Sequence, residues 1–158
     1  MSTLSGILLV PGTRPKVVTD CVRLVDEEVD SKGGLSGLAI KGAYMVVKAV
    51  KPGFIAEAVD HMLDDFVRRL EPFVTEAQQK NEPVGAFLNG KASLVADALL
   101  ATSDERAAGA KNPTVKKAYE KLRPTAKKNV EAAVPRLGRL VAQYVNSAAS
   151  SATSAPAV

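Results

Sequence analysis

Residues 113–145 read PTVKKAYEKLR, PTAKKNVEAAV and PRLGRLVAQYV, three segments of 11 residues opened by Pro113, Pro124 and Pro135. An interval of 11 is three helical turns plus about 20°, so equivalent positions return to nearly the same side of one long helix. With the third position at zero, Val115, Ala126 and Leu137 define a line. The seventh positions (Tyr119, Val130, Val141) fall at about 40° and the tenth (Leu122, Ala133, Tyr144) at about −20°. This is one continuous apolar stripe. The prolines lie at about 160°, on the opposite side, beside Lys117, Lys128 and Arg139 at about 200°.

An interior proline costs about 3 kcal/mol, because it removes a hydrogen bond and crowds the carbonyl four residues back. On a polar face that carbonyl can turn to water, which lowers the cost. A helix bends away from its prolines, so this region is expected to be concave along its apolar stripe. Asn112 is placed to cap the helix with Pro113 at its first position, leaving Pro124 and Pro135 inside. The stripe then faces the protein's own core or an external apolar surface. The pattern resembles the repeats of exchangeable apolipoproteins, which would imply a lipid or granule surface. It departs from them in the third segment, where Gly138 and Ala142 stand in the lysine and glutamate positions.

The chain of 158 residues suits one domain able to bury about two-thirds of its unfolded surface. Apolar residues make up 46%, yet only four Phe and three Tyr are aromatic. Alanine, valine and leucine therefore do the packing, which favours close helix–helix contact over an aromatic-lined pocket. The same shortage disfavours single-stranded nucleic-acid binding, which stacks bases on aromatic rings. A lone cysteine, Cys21, excludes an internal disulfide and a thiolate zinc site; it lies on an apolar helix stripe, as a buried inert thiol would. The apolar run Leu4–Val10 lacks preceding basic residues and is too short for a signal peptide. No stretch reaches the length of a transmembrane segment, and a cytoplasmic location is the default expectation.

Charge is divided unevenly along the chain. Residues 1–105 hold 11 basic and 15 acidic side chains, whereas residues 106–158 hold 10 basic and two acidic ones. The basic face comprises Lys116, Lys117, Lys121, Lys127, Lys128, Arg136 and Arg139. It calls for an acidic counterpart, on the chain's own other half or on a partner.

Outward from this region the pattern is helical throughout. A first helix is expected from Pro15 to Ser31, on the stripe Val18, Cys21, Val22, Val25 and Val29, ended by Gly33 and Gly34. A second, Leu35–Val50, is apolar on nearly all sides and is expected to be the buried centre of the bundle. Pro52–Gly53 precedes a third, Phe54–Leu70, which Pro72 continues to about Lys80. A fourth follows Pro83 and runs to Gly109, and the proline-punctuated region supplies a fifth and sixth segment. Residues 147–158, SAASSATSAPAV, read as a disordered tail after a single helical domain over residues 1–146. The expected class is all-α, an irregular bundle of five to six helices with a long, proline-kinked, amphipathic C-terminal region.

Catalytic residue types gather only on the third helix, as Glu57, Asp60, His61, Asp64 and Asp65. Glu57, His61 and Asp64 share a face, as metal ligands would. A di-iron bundle needs Glu-x-x-His on paired helices; position 58 is alanine and His61 is the only histidine. Solvated i, i+4 ion pairs, Glu57–His61, Asp64–Arg68 and Asp65–Arg69, explain the cluster more simply. Cys21 and His61 lie on different helices, no serine has a nucleophile-elbow setting, and Gly33–Gly37 lacks the lysine of a phosphate loop. No enzyme activity, cofactor or metal is expected.

The segments GLSGLAIKGAYMVVKAVKPGFI (34–55) and KKAYEKLRPTAKKNVEAAVPRLGRLV (116–141), with the acidic helix between them, resemble a family of short helical bacterial proteins of unknown function. The similarity extends over about Pro15 to Val145 and implies no catalytic residues. The functional expectation is a non-catalytic interaction or scaffolding domain. Its basic C-terminal face would contact an acidic protein partner or a second copy. Peripheral binding to an anionic lipid or granule surface through the C-terminal helix is the alternative. Weak, sequence-independent nucleic-acid binding comes third.

Overall fold

Helix formation follows the apolar periodicity almost everywhere in the computed structural model, which describes residues 3–153. Among the described residues seven helices occur in the order α1 (Leu4–Leu8), α2 (Arg14–Ser31), α3 (Gly34–Val50), α4 (Phe54–Gln79), α5 (Val84–Gly90), α6 (Ala92–Ala108) and α7 (Pro113–Thr153). No strand occurs among the described residues. The all-α class stands, and the expected five to six helices become seven.

Each difference in count has a local cause. The apolar run at the N-terminus forms α1, whose first amides are held by a distant acid: Leu4 N and Ser5 N donate to the Glu71 carboxylate at 2.9 and 3.2 Å. Thr3 caps the same turn by accepting from Gly6 N. Pro72 sits inside α4, which runs on to Gln79 as the expected continuation did, with its ring on the exposed side. The expected fourth helix breaks at Lys91, and α5 and α6 meet there at 86°. The fifth and sixth segments are one helix, α7, which passes through Pro124 and Pro135. It also continues beyond Asn146 to Thr153, through the first part of the expected tail; residues 154–158 lie outside the described residues.

The start of α7 follows its capping chemistry. Pro113 opens the helix, and the Asn112 side-chain oxygen accepts from Thr114 N at 2.9 Å and from Val115 N at 3.3 Å. Pro113, Pro124 and Pro135 are all exposed, and the apolar stripe turns inward. A proline facing solvent leaves its orphaned carbonyl within reach of water, so the helix survives it.

The core gathers Leu4 and Leu8 of α1, Leu63, Val67 and Leu70 of α4, Phe87 and Leu88 of α5, Val95 of α6, and Val134 and Val141 of α7. Close helix contact is achieved where glycines meet. A Cβ on Gly138 of α7 would lie 3.0 Å from the Gly85 carbonyl oxygen of α5, so a side chain there would push the two backbones apart by a few tenths of an ångström. Gly53, at φ 79°, turns the chain from α3 into α4.

The second corrected expectation concerns α3. It is not the buried centre of the bundle. Leu35 is 87% exposed, Leu38 68% and Met45 70%, and only its opposite side, with Gly37 and Val47, is covered. An apolar circumference can be buried only where neighbours exist on every side, and here α2, α4 and α7 occupy one. Among the described residues no single helix is long and apolar enough to cross a membrane.

Candidate functional site

The stripe of α7 faces the interior without being filled in. Leu122, Ala126, Val130, Ala133 and Leu137 are only half-buried although they point away from the prolines. The reason is a cavity of about 410 Å³ running along them. Val17, Cys21, Leu24 and Val25 of α2 form the facing wall, and Leu63, Phe66 and Val67 of α4 with Leu99 and Leu100 of α6 form another. Ile40 of α3 closes one side. The close helix–helix contact expected from the composition does not extend along this length, whose lining is mostly aliphatic and not aromatic. Alanine at positions 126 and 133 is too small to reach the facing helices, and few aromatic rings are available to span the gap.

Polar groups line the cavity only at its margins, and they already have partners. Tyr119 donates to Asp104 at 2.6 Å, and Arg123 grips both oxygens of the same carboxylate at 2.8 and 3.0 Å. Tyr144 donates to Asp20 at 2.5 Å, and Lys32 pairs with Glu28 at 3.3 Å. The Tyr119 and Arg123 contacts tie α7 to α6 and the Tyr144 contact ties it to α2, whereas Lys32–Glu28 lies within α2 and its cap. The Arg123 guanidinium, and then the Tyr119 hydroxyl, hold the Asp104 carboxyl below its ordinary value. Burial, and then the Asp20 carboxylate, push the Tyr144 phenol up to about 12. Tyr119 is raised in the same way by burial and Asp104. Cys21 is half-buried on the cavity wall, where burial, reinforced by Asp20, pushes its thiol up to about 11.

The basic face divides into two sets. Lys127 pairs with Asp97 of α6 at 3.0 Å, and Arg136 pairs with Glu27 and Glu28 of α2 at 3.5 and 3.2 Å. These two cations hold the bundle together. Lys116, Lys117, Lys121, Lys128 and Arg139 are exposed and form no ion pair among the described residues. The internal counterpart of the basic face is thus α2 and α6, and not the acidic line of α4.

That acidic line is engaged elsewhere. Arg14 of α2 reaches Asp60 at 3.0 Å and Asp64 at 3.1 Å, Lys51 reaches Glu57 at 2.9 Å, and Arg69 reaches Glu105 of α6 at 3.1 Å. Arg106 donates to the His61 carbonyl at 2.9 Å. The three expected i, i+4 pairs are absent among the described residues: Lys51 takes Glu57, Arg14 takes Asp64, and Arg69 turns to Glu105. Arg68 instead reaches Asp65 at i, i+3, 2.6 Å away. No group of three or more His, Cys, Asp or Glu side chains among the described residues is arranged to hold a metal ion.

The cavity escaped the sequence reading, although its signal was present. A stripe that is apolar but built from Ala126 and Ala133 where a tightly packed seam would carry larger residues is the pattern of a lined space. The chain belongs to a family of unknown function, DUF6918, whose model matches residues 4–145. No curated protein and no solved structure matches the chain.

Proposed function

We propose that this DUF6918 protein binds one small, dominantly hydrocarbon molecule, such as a fatty acid or a single acyl chain, in the cavity between α2, α4, α6 and α7. The observation that carries this reading is the wall itself. A volume of about 410 Å³ lies within the range of small-molecule sites, roughly 300–1,000 Å³. Side chains along this half-open wall forgo part of their van der Waals packing. An apolar guest that restores those contacts recovers much of it. Because the marginal polar groups are mutually satisfied, the wall asks for no hydrogen bonds from the ligand.

Titration with a fluorescent naphthylamine probe, followed by displacement with a long-chain fatty acid, tests the reading. Binding saturates at one probe per chain and slows modification of Cys21, which lines the cavity. Ala126→Phe and Ala133→Phe fill the space and weaken probe binding by about tenfold or more while leaving the fold intact. Unsaturable binding, or binding indifferent to both substitutions, rejects the cavity as a ligand site.

A second reading is favoured by one observation: five cations of α7 remain exposed after Lys127 and Arg136 are engaged internally. They suit an acidic protein surface. Co-purification of an acidic partner that disappears when Lys116, Lys117, Lys121, Lys128 and Arg139 are changed to glutamine supports it; retention of every partner excludes it.

A further inference from the structure

The outward face of α3 is apolar over its full length. Leu35, Leu38, Met45, Val46 and Val50 are exposed at 87, 68, 70, 47 and 45%. At about 100° per residue they fall, with the exposed Ala39, Gly42 and Ala49, inside an arc of about 160° centred on Gly42. That arc contains no charged or hydrogen-bonding side chain. α3 carries no acidic residue, and Lys41 and Lys48 border the arc on one edge. Lys41 has no ion pair among the described residues, and Lys48 is half-exposed, 3.7 Å from Asp26. The opposite side is fixed to the body: Val47 is buried, Ile40 reaches the cavity wall and Tyr44 donates a hydrogen bond to Asp26.

We propose that this face docks on an anionic lipid bilayer, with α3 lying in the interface plane. An amphipathic helix with basic residues beside its apolar face seats about 5–10 Å deep at the boundary of headgroups and acyl chains. Lys41 and Lys48 would meet the headgroups at one edge of α3. The same end of the molecule supplies further cations. Lys111 lies just before the start of α7 in a depression shared with Phe54, Asn112, Val115 and Lys51, the last already paired with Glu57 at 2.9 Å. Lys116, Lys117 and Lys121 follow on that helix, exposed and unpaired among the described residues. This concentration of positive charge selects an anionic lipid surface over a neutral one. The proposal does not rest on cavity occupancy, since the face lies outside the cavity.

Vesicle flotation of the full chain, with phosphatidylcholine alone and with added phosphatidylglycerol, tests it. The protein floats with the anionic vesicles, and association falls by about tenfold for Leu38→Asp/Met45→Asp, and again on raising salt. Both positions are exposed, and Leu38→Gln/Met45→Gln provides a milder pair should the aspartates impair expression. The cavity-filling Ala126→Phe variant floats like the wild type, so failure of ligand binding and failure of docking are separable. Absence of flotation overturns the proposal. So does a concentration-dependent dimer that Leu38→Asp/Met45→Asp dissociates without any vesicle binding, which would assign the face to a second copy of the chain.

Discussion

At the scale of single residues, the buried polar atoms divide into those with partners and those without. Thr102 is fully buried in α6, and its hydroxyl has no hydrogen-bond partner within the structure. A buried hydroxyl stripped of water and left unpaired costs about 1–3 kcal/mol. Valine matches its shape and removes the polar atom. Thr102→Val is therefore expected to raise unfolding free energy by about 1 kcal/mol in denaturant titrations, with an unchanged m value. A loss of stability would show that the hydroxyl is satisfied, for instance by water. The contrast with Tyr119 and Tyr144 is instructive. Those hydroxyls sit beside an apolar cavity, but they donate to carboxylates at 2.6 and 2.5 Å.

Among the elements, legibility followed the physics that each signal encodes. Periodicity placed α2, α3 and the first part of α4 to within a residue or so at their starts, because apolar spacing and glycine breaks are local properties. Asn112–Pro113 was readable for the same reason: capping needs only adjacent residues. Pro72 was readable as a continuation of α4, since a proline whose side meets solvent need not end a helix. The corner at Lys91 had no strong local signal, because Gly90 alone does not impose it. The α3 helix marks the clearest limit. Its sequence states that every side is apolar, but not how many neighbours the topology will supply. The exposed face therefore became visible only once α2, α4 and α7 were seen on one side of it.

For the whole molecule, the seven-residue basic face was legible as charge, but its division was not. Pairing of Lys127 with Asp97 and of Arg136 with Glu27 and Glu28 joins residues at least 30 positions apart. The cavity's extent was hidden for a similar reason, because its walls come from helices distant in sequence, α2, α3, α4, α6 and α7 among them. These distant contacts give the fold a two-sided dependence on pH. Asp104, held low by Arg123 and then by Tyr119, contributes stability that is complete above the ordinary carboxyl value near 3.8. That contribution is lost as pH falls through the depressed folded value. Glu57 beside Lys51 and Glu76 beside Lys80 shift the same way but face solvent, where screening weakens them. On the alkaline side, Tyr144 is raised from 10.0 to about 12, so its contribution is complete below about pH 10 and disappears as pH climbs toward 12. Denaturant unfolding at a series of pH values, for Asp104→Asn and Tyr144→Phe beside the wild type, separates the two limbs. Asp104→Asn is expected to flatten the decline below pH 4 and leave the alkaline limb alone, whereas Tyr144→Phe does the reverse. Near neutrality each costs no more than about 1 kcal/mol, the scale of a partly exposed pair or a single hydrogen bond. If the Asp104→Asn profile ran parallel to the wild type down to pH 3, the clamp between α6 and α7 would carry no net stabilisation.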